Sequence, residues 1–226
     1  MINLLLSETK RSETYLKYLL KNKLKIVNII YYATNKKNVS KIIESKSLSK
    51  KTFFVRSNTI NSPLIEKTLS KIEQKIPIIY SGYSGEIIKS KKILNKNIIH
   101  FHPGDLPKYK GSTTFFYSLI FENKMTVSCF KMTGAIDEGE ILYKKNFRKP
   151  SKLIKINSSF DDKMRAETMI EFLRKGKKKY KVKKNLKKFS IYYIAHPIIR
   201  GIAIHKNKLK HLYQLNDTWN KSKYIN

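Results

Sequence analysis

Residues 98–111 read IIHFHPGDLPKYKG. Ile98, Ile99 and Phe101 form a short apolar run that Pro103, Gly104 and Pro107 stop at once, the mark of a buried strand entering a turn. His100 and His102 stand two residues apart, so a continuous strand puts both rings on one face. In α/β proteins, chemistry gathers where strands end in loops. Two imidazoles at such an end make this the first place to look for it.

Outward from this corner, strand-like and helix-like segments alternate. Upstream, strands are expected at 2–6, 24–32, 52–55 and 76–80. Between them lie a helical stripe (Tyr15, Tyr18, Leu19, Leu20), a short helix at 39–43 and a helical segment at 60–72. Downstream, a helix is expected over 112–121, with Ser112, Thr113 or Thr114 as its cap. A strand at 126–132, a polar loop at 133–139 and a strand at 140–145 follow. An amphipathic helix over 158–175 turns Phe160, Met164, Met169, Phe172 and Leu173 to one side. Such alternation argues an α/β fold with a doubly wound, mostly parallel sheet. No G-x-G-x-x-G follows the first strand, where SETKRS stands instead, and there is no phosphate-binding G-x-x-x-x-G-K-[ST].

The chain of 226 residues has room for one good-sized domain, and its 41% apolar content excludes global disorder. One cysteine, Cys129, allows no internal disulfide and suits a reducing compartment. The N-terminal apolar run is too short for a signal peptide and no stretch is long enough to span a membrane, so a cytoplasmic location is expected. The net charge is +32, yet only six of the 48 basic residues are arginine. Nucleic-acid readers favour the planar fork of arginine. Abundant Lys, Ile and Asn beside only 8 glycines read instead as AT-rich codon usage and a solvated basic surface. A nucleic-acid partner is therefore not favoured, but a field this positive should attract anionic ligands such as phosphates or polyglutamate tails. No metal site is expected, and a homodimer is compatible with the sequence.

Two further stretches bear on a site. SGYSG at 81–85 follows the fourth strand, and its glycines suit either a tight turn or close approach of backbone to a ligand. TGAIDEG at 133–139 carries Asp137. Together with H-F-H-P-G-D-L-P-K-Y-K-G these resemble the formyl-tetrahydrofolate-dependent formyltransferases, a superfamily that includes methionyl-tRNA, glycinamide ribonucleotide and sugar N-formyltransferases. The first motif is similar to that family's N-x-H-P-…-L-P-x-Y-x-G segment, and V-S-C-F-K-M-T-G-A-I-D-E-G-E-I-L is similar to its loop ending in D-x-G-x-I-L. The resemblance covers about residues 76–147.

The resemblance implies a Rossmann-like formyltransferase fold, with residues 1–150 as the catalytic domain and 151–226 as a helical, basic C-terminal extension packing on it. It implies catalytic positions at His102 and Asp137, and a third at His100, where the family has Asn. The folate pteridine would lie against Tyr80, Gly82, Tyr83, Gly85 and Ile87 and against the backbone of Ala135 and Ile136. Pro103, Gly104, Tyr109, Gly111 and Ser112 fall on the acceptor side. Formyl-tetrahydrofolate is the implied donor.

The chemistry can be argued separately. An amine attacking a formyl carbon makes an oxyanion that needs a hydrogen-bond donor, worth roughly 3–4 kcal/mol, and it sheds a proton that needs an acceptor. His102 can do either, with Asp137 steadying a charged imidazole. A ring N–H of His100 can stand in for the family amide. The favoured acceptor is an anionic amino sugar on a nucleotide carrier, because the chain is short after Phe147. The alternatives are a methionyl-tRNA formyltransferase-like enzyme and a catalytically inactive folate-binding relative. Asp105, His196, His205 and His211 are expected to be structural or surface residues, and Phe115 and Phe116 core or pocket wall.

Overall fold

The protein is described by a computed structural model covering residues 1–35, 43, 48, 51–148, 158–176 and 191–205. The helix expected at 39–43, the lysine-rich stretch beyond Gly176 and His211 lie outside the described residues, apart from Ile43. Among the described residues no helix is long and apolar enough to cross a membrane.

Strand β1 (Ile2–Ser7) leads into α1 (Lys10–Lys21), followed by β2 (Ile26–Ala33), β3 (Thr52–Arg56), α2 (Pro63–Ser70), β4 (Ile78–Ser81), α3 (Lys91–Leu94) and β5 (Ile98–His102). After β5 come β6 (Lys110–Gly111), α4 (Thr114–Glu122), β7 (Met125–Lys131), β8 (Ile141–Phe147), α5 (Ser158–Lys175), β9 (Ile191–Tyr192) and α6 (Pro197–His205). Seven strands form one sheet in the order β3-β2-β1-β4-β5-β7-β8. The first five are parallel, and β7 and β8 add an antiparallel hairpin. The chain winds outward from β1 to β3, then returns to the other side of β1 at β4. That reversal opens a crevice beyond the strand ends.

Every residue of β1 is buried, as expected of a central parallel strand covered on both faces. Leu4 and Leu6 pack with Tyr15, Leu16 and Leu19 of α1 and Met169 and Phe172 of α5. Leu5 points the other way and joins Ile30, Val55, Ile65 and Leu69. Local signals start the helices. Thr9 caps α1 by accepting from the N–H of Ser12, and Ser62 caps α2 ahead of Pro63. Helix α5 shares a core with α1, β5 and β7, so this part of the expected extension is built into the sheet's covering layer. Leu20, assigned to the buried stripe of α1, is 42% exposed, and Leu16 takes its place.

Glu171 of α5 ties that helix to β8, accepting from Tyr143 Oη at 2.6 Å and pairing with Lys145 at 3.1 Å and Lys175 at 2.5 Å. Hydrogen bonds from Lys175 and Tyr143, then Lys145, hold its carboxyl down at about 2. A depressed carboxyl contributes stability above its unfolded pKa and loses it as pH falls through the folded value. Glu171→Gln is therefore expected to cost roughly 1 kcal/mol at neutral pH, a figure discounted for partial solvent screening. The difference from the parent should vanish towards pH 2 in pH-dependent urea unfolding.

Candidate active site

The cleft lies past the C-terminal ends of β1, β4 and β5 and encloses about 440 Å³. Its floor is β5, where His100 and His102 do face the same way, while Ile99 and Phe101 point into the core between the sheet and α5. One wall is the turn after β4, and another is the loop between β7 and β8. Ile191–Ile194 close the far side.

The turn after β5 doubles back on its own histidine. His102 Nε2 lies 2.7 Å from the carbonyl oxygen of Tyr109. A carbonyl only accepts, so Nε2 carries the ring proton and donates it. Thr114 Oγ1 is 3.1 Å from the same nitrogen and donates its one hydrogen to the carbonyl of Pro103 at 2.8 Å. It too can only accept from His102. Gly104 has to be glycine here, since a Cβ would sit 2.6 Å from His102 Nε2, Thr114 Oγ1 and the Tyr109 carbonyl alike. From β7, Ser128 pins the turn by donating to the Gly104 carbonyl at 2.6 Å and accepting from the Leu106 N–H at 3.0 Å.

The other ring nitrogen meets the second motif. His102 Nδ1 is 3.3 Å from Asp137 Oδ2, and that oxygen accepts from the Gly111 N–H at 2.7 Å. Asp137 sits at φ 49°, a left-handed conformation that Asp tolerates better than most residues. Burial holds the His102 ring below the usual histidine value, against the upward pull of Asp137 and the Tyr109 carbonyl. With His102 neutral and its proton on Nε2, Nδ1 and the carboxylate face each other as two acceptors. Their contact becomes attractive only when one proton enters between them.

His100 lines the cleft with its Nδ1 3.3 Å from the Tyr80 carbonyl. Behind both histidines lie two guanidinium groups. Arg11, in the first turn of α1, donates to Ser81 Oγ at 3.1 Å and to the Gly82 carbonyl. Arg165 of α5 is buried, forks onto both oxygens of Asp161 at 2.8 Å and reaches the Phe101 carbonyl at 3.1 Å.

Tyr80, Tyr83, Gly85, Ile87, Ala135 and Ile136 all line the cleft, as do Pro103, Gly111 and Ser112. Gly82, Gly104 and Tyr109 do not. Gly82 packs beneath the Tyr80 hydroxyl, and the Tyr109 side chain is fully buried, so that only its carbonyl serves the site. Gly111, at φ 103°, runs so close to β9 that a Cβ would meet the Tyr192 carbonyl at 2.1 Å. Asp105 pairs with Lys144 and Lys124, while His196 and His205 are exposed. None of the three expected caps bonds the start of α4: Thr113 Oγ1 instead accepts from the Ala195 N–H at 2.7 Å, and Thr114 turns to His102. Arg11, Arg165, Ser128 and Glu86 were not singled out by sequence, and Thr114 was singled out only as a cap. Glu86 Oε2 alone accepts from Tyr32, Tyr80 and the Tyr83 N–H, which moors the turn after β4.

Thr114→Val keeps the volume but removes the hydroxyl that donates to the Pro103 carbonyl. It is expected to destabilise the fold by about 1–2 kcal/mol in thermal unfolding, with Thr114→Ser close to the parent.

No family model matches the chain, and no curated protein matches it in sequence. Solved structures do match in fold. A sugar N-formyltransferase from a Shewanella species is 15% identical with a TM-score of 0.58, covering 90% of this chain and 86% of its own. An N-formyltransferase from Helicobacter canadensis, in complex with folinic acid and dTDP-3-aminofucose, is 16% identical with a TM-score of 0.53 over 85% of this chain and 71% of its own. Methionyl-tRNA formyltransferase from Clostridium thermocellum is 18% identical with a TM-score of 0.53 over 88% and 74%. The chain thus has the fold of these formyltransferases.

Proposed function

We propose that this chain transfers a formyl group from formyl-tetrahydrofolate to a primary amine, most specifically that of a nucleotide-linked amino sugar. The observation that carries the reading is the 3.3 Å approach of His102 Nδ1 to Asp137 Oδ2 in an open cleft at the sheet's switch point. Shared fold with formyltransferases of two acceptor classes, sugar and tRNA, supports it.

The walls fit a folate donor. Ile87 and Ile136 are each left 36% exposed at the cleft, an apolar pair that a flat ring would cover, with Tyr83 and Met132 beside them. Formyl-tetrahydrofolate supplies an activated formyl carbon. Everything else falls to the protein. The Tyr109 carbonyl commits Nε2, so the basic nitrogen of His102 is Nδ1. The proton that the acceptor sheds on becoming a free amine has a place between Nδ1 and Oδ2, where Asp137 steadies the imidazolium. That same proton serves charge developing on the formyl oxygen and then the nitrogen that leaves. A net charge of +32 and Arg11 at the cleft favour an anionic acceptor, which supports a nucleotide sugar.

The test is incubation with formyl-tetrahydrofolate and a panel of aminated nucleotide sugars, with methionyl-tRNA as a parallel arm. A formyl mass increment on a sugar is the expected result. An increment on tRNA alone, steeply weakened by salt, would replace the sugar by tRNA. No increment on any amine, with folate still bound, would leave an inactive folate-binding protein.

A further inference from the structure

His100 stands where the resemblance puts an amide that donates a hydrogen bond, and its geometry reverses that role. Its Nδ1 lies 3.3 Å from the Tyr80 carbonyl oxygen, which only accepts, so Nδ1 bears the hydrogen. Nε2 has no partner among the described residues, in a side chain that lines the cleft. The ring is wedged between Tyr80 and Phe130, at centroid distances of 5.7 and 5.8 Å.

The groups around it keep it neutral. Burial, then the charges of Arg165 and Arg11, then His102, hold it well below the usual histidine value, against the pull of the Tyr80 carbonyl. No carboxylate is among the main influences on it. A neutral ring with its hydrogen on Nδ1 offers the cleft a lone pair at Nε2 and no donor. It is unsuited to hold an oxyanion as an amide would.

We propose that His100 receives the acceptor amine: Nε2 accepts one of its N–H bonds, aims its lone pair at the formyl carbon, and takes that proton as the new bond forms. This rests on the formyl-transfer reading above and assigns the second proton of that reaction. The acceptor enters as an ammonium and gives one proton to the His102–Asp137 contact. The amine nitrogen then bonds to the formyl carbon and its second proton passes to His100 Nε2. The bond from the formyl carbon to the folate nitrogen breaks, and that nitrogen receives the first proton. His100 returns the second to solvent, so one proton is released per formamide formed. The two guanidiniums nearby disfavour an ammonium at this spot, which favours the nucleophilic free amine.

The experiment has two arms. In the free protein, ¹⁵N ring spectra are expected to show His100 neutral, with hydrogen on Nδ1, down to pH values below the ordinary histidine range. An Nε2–H ring, or one that charges at or above about pH 6.5, overturns the proposal whether or not the chain transfers formyl groups. In the second arm, His100→Asn restores the family amide. It is expected to lower kcat about 100-fold with KM for the folate unchanged, and the deficit should shrink as pH rises and solvent bases take over. A variant as active as the parent overturns the proposal while leaving formyl transfer standing. A parent inactive on every amine sinks both, even if the ring spectra are as expected.

Discussion

His102→Ala is expected to lower formyl transfer about 1,000-fold, and Asp137→Asn about 100-fold, with folate binding retained in both. The reasoning is positional. Nε2 of His102 is spent on the Tyr109 carbonyl, so removing the ring removes the one basic nitrogen that faces Asp137. Asp137→Asn keeps the shape and loses the charge that steadies an imidazolium. An Asn amide can still donate to Nδ1 and hold the ring in place, which is why the smaller loss is expected there. Steady-state kinetics with a formylated product readout checks both. Parent-like rates in the two variants would remove the catalytic role from this pair. His102 titrates below the ordinary histidine value because burial outweighs Asp137. Its charged form is therefore scarce near neutrality in the free protein.

Asp161→Ala is expected to be among the most destabilising changes in the chain, at about 3–5 kcal/mol in urea unfolding. Burial by itself would pull the Arg165 guanidinium down, but Asp161, gripping it with two hydrogen bonds and backed by Tyr15 and Asp162, more than offsets this. Arg11 lies close enough to be pushed down by burial and then by Arg165. Without Asp161, two cations remain in the interior beside His100 with Asp162 as the nearest acid, and burial already raises the pKa of that carboxyl. The double change Asp161→Ala, Arg165→Met should recover much of the loss, since an apolar pair of similar volume needs no counter-charge. It should also let the His100 pKa climb. Loss below about 1 kcal/mol in the single variant would mean that water, not Asp161, satisfies the guanidinium.

Strand–helix alternation was readable because parallel strands covered on both faces are continuous apolar runs, and β1, β2, β4 and β5 are such runs. The hairpin of β7 and β8 was found as two strands, but nothing local told that it pairs antiparallel on β5. Thr113 stands at the N-cap of α4 as expected, but no side chain bonds the helix start, for a definite reason. Three hydroxyls in a row, Ser112, Thr113 and Thr114, all suit a cap, yet tertiary partners at Ala195, Pro103 and His102 claim two of them. Arg11 and Arg165 carried a signal that went unused. In a chain where lysine supplies nearly all the positive charge, arginine is rare enough for each one to be inspected, and two of the six meet at the cleft, one of them forking onto Asp161.

By itself the sequence determined that His100 and His102 share a strand face ahead of a sharp turn, since side chains alternate with period two whatever the surroundings. It also determined that a polar loop carrying Asp137 would follow. Which nitrogen of each ring holds the proton was decided only by tertiary structure, because that depends on carbonyls of residues distant or doubling back, Tyr80 for one ring and Tyr109 for the other. An imidazole is donor or acceptor according to its neighbours, and no spacing of letters records who they are.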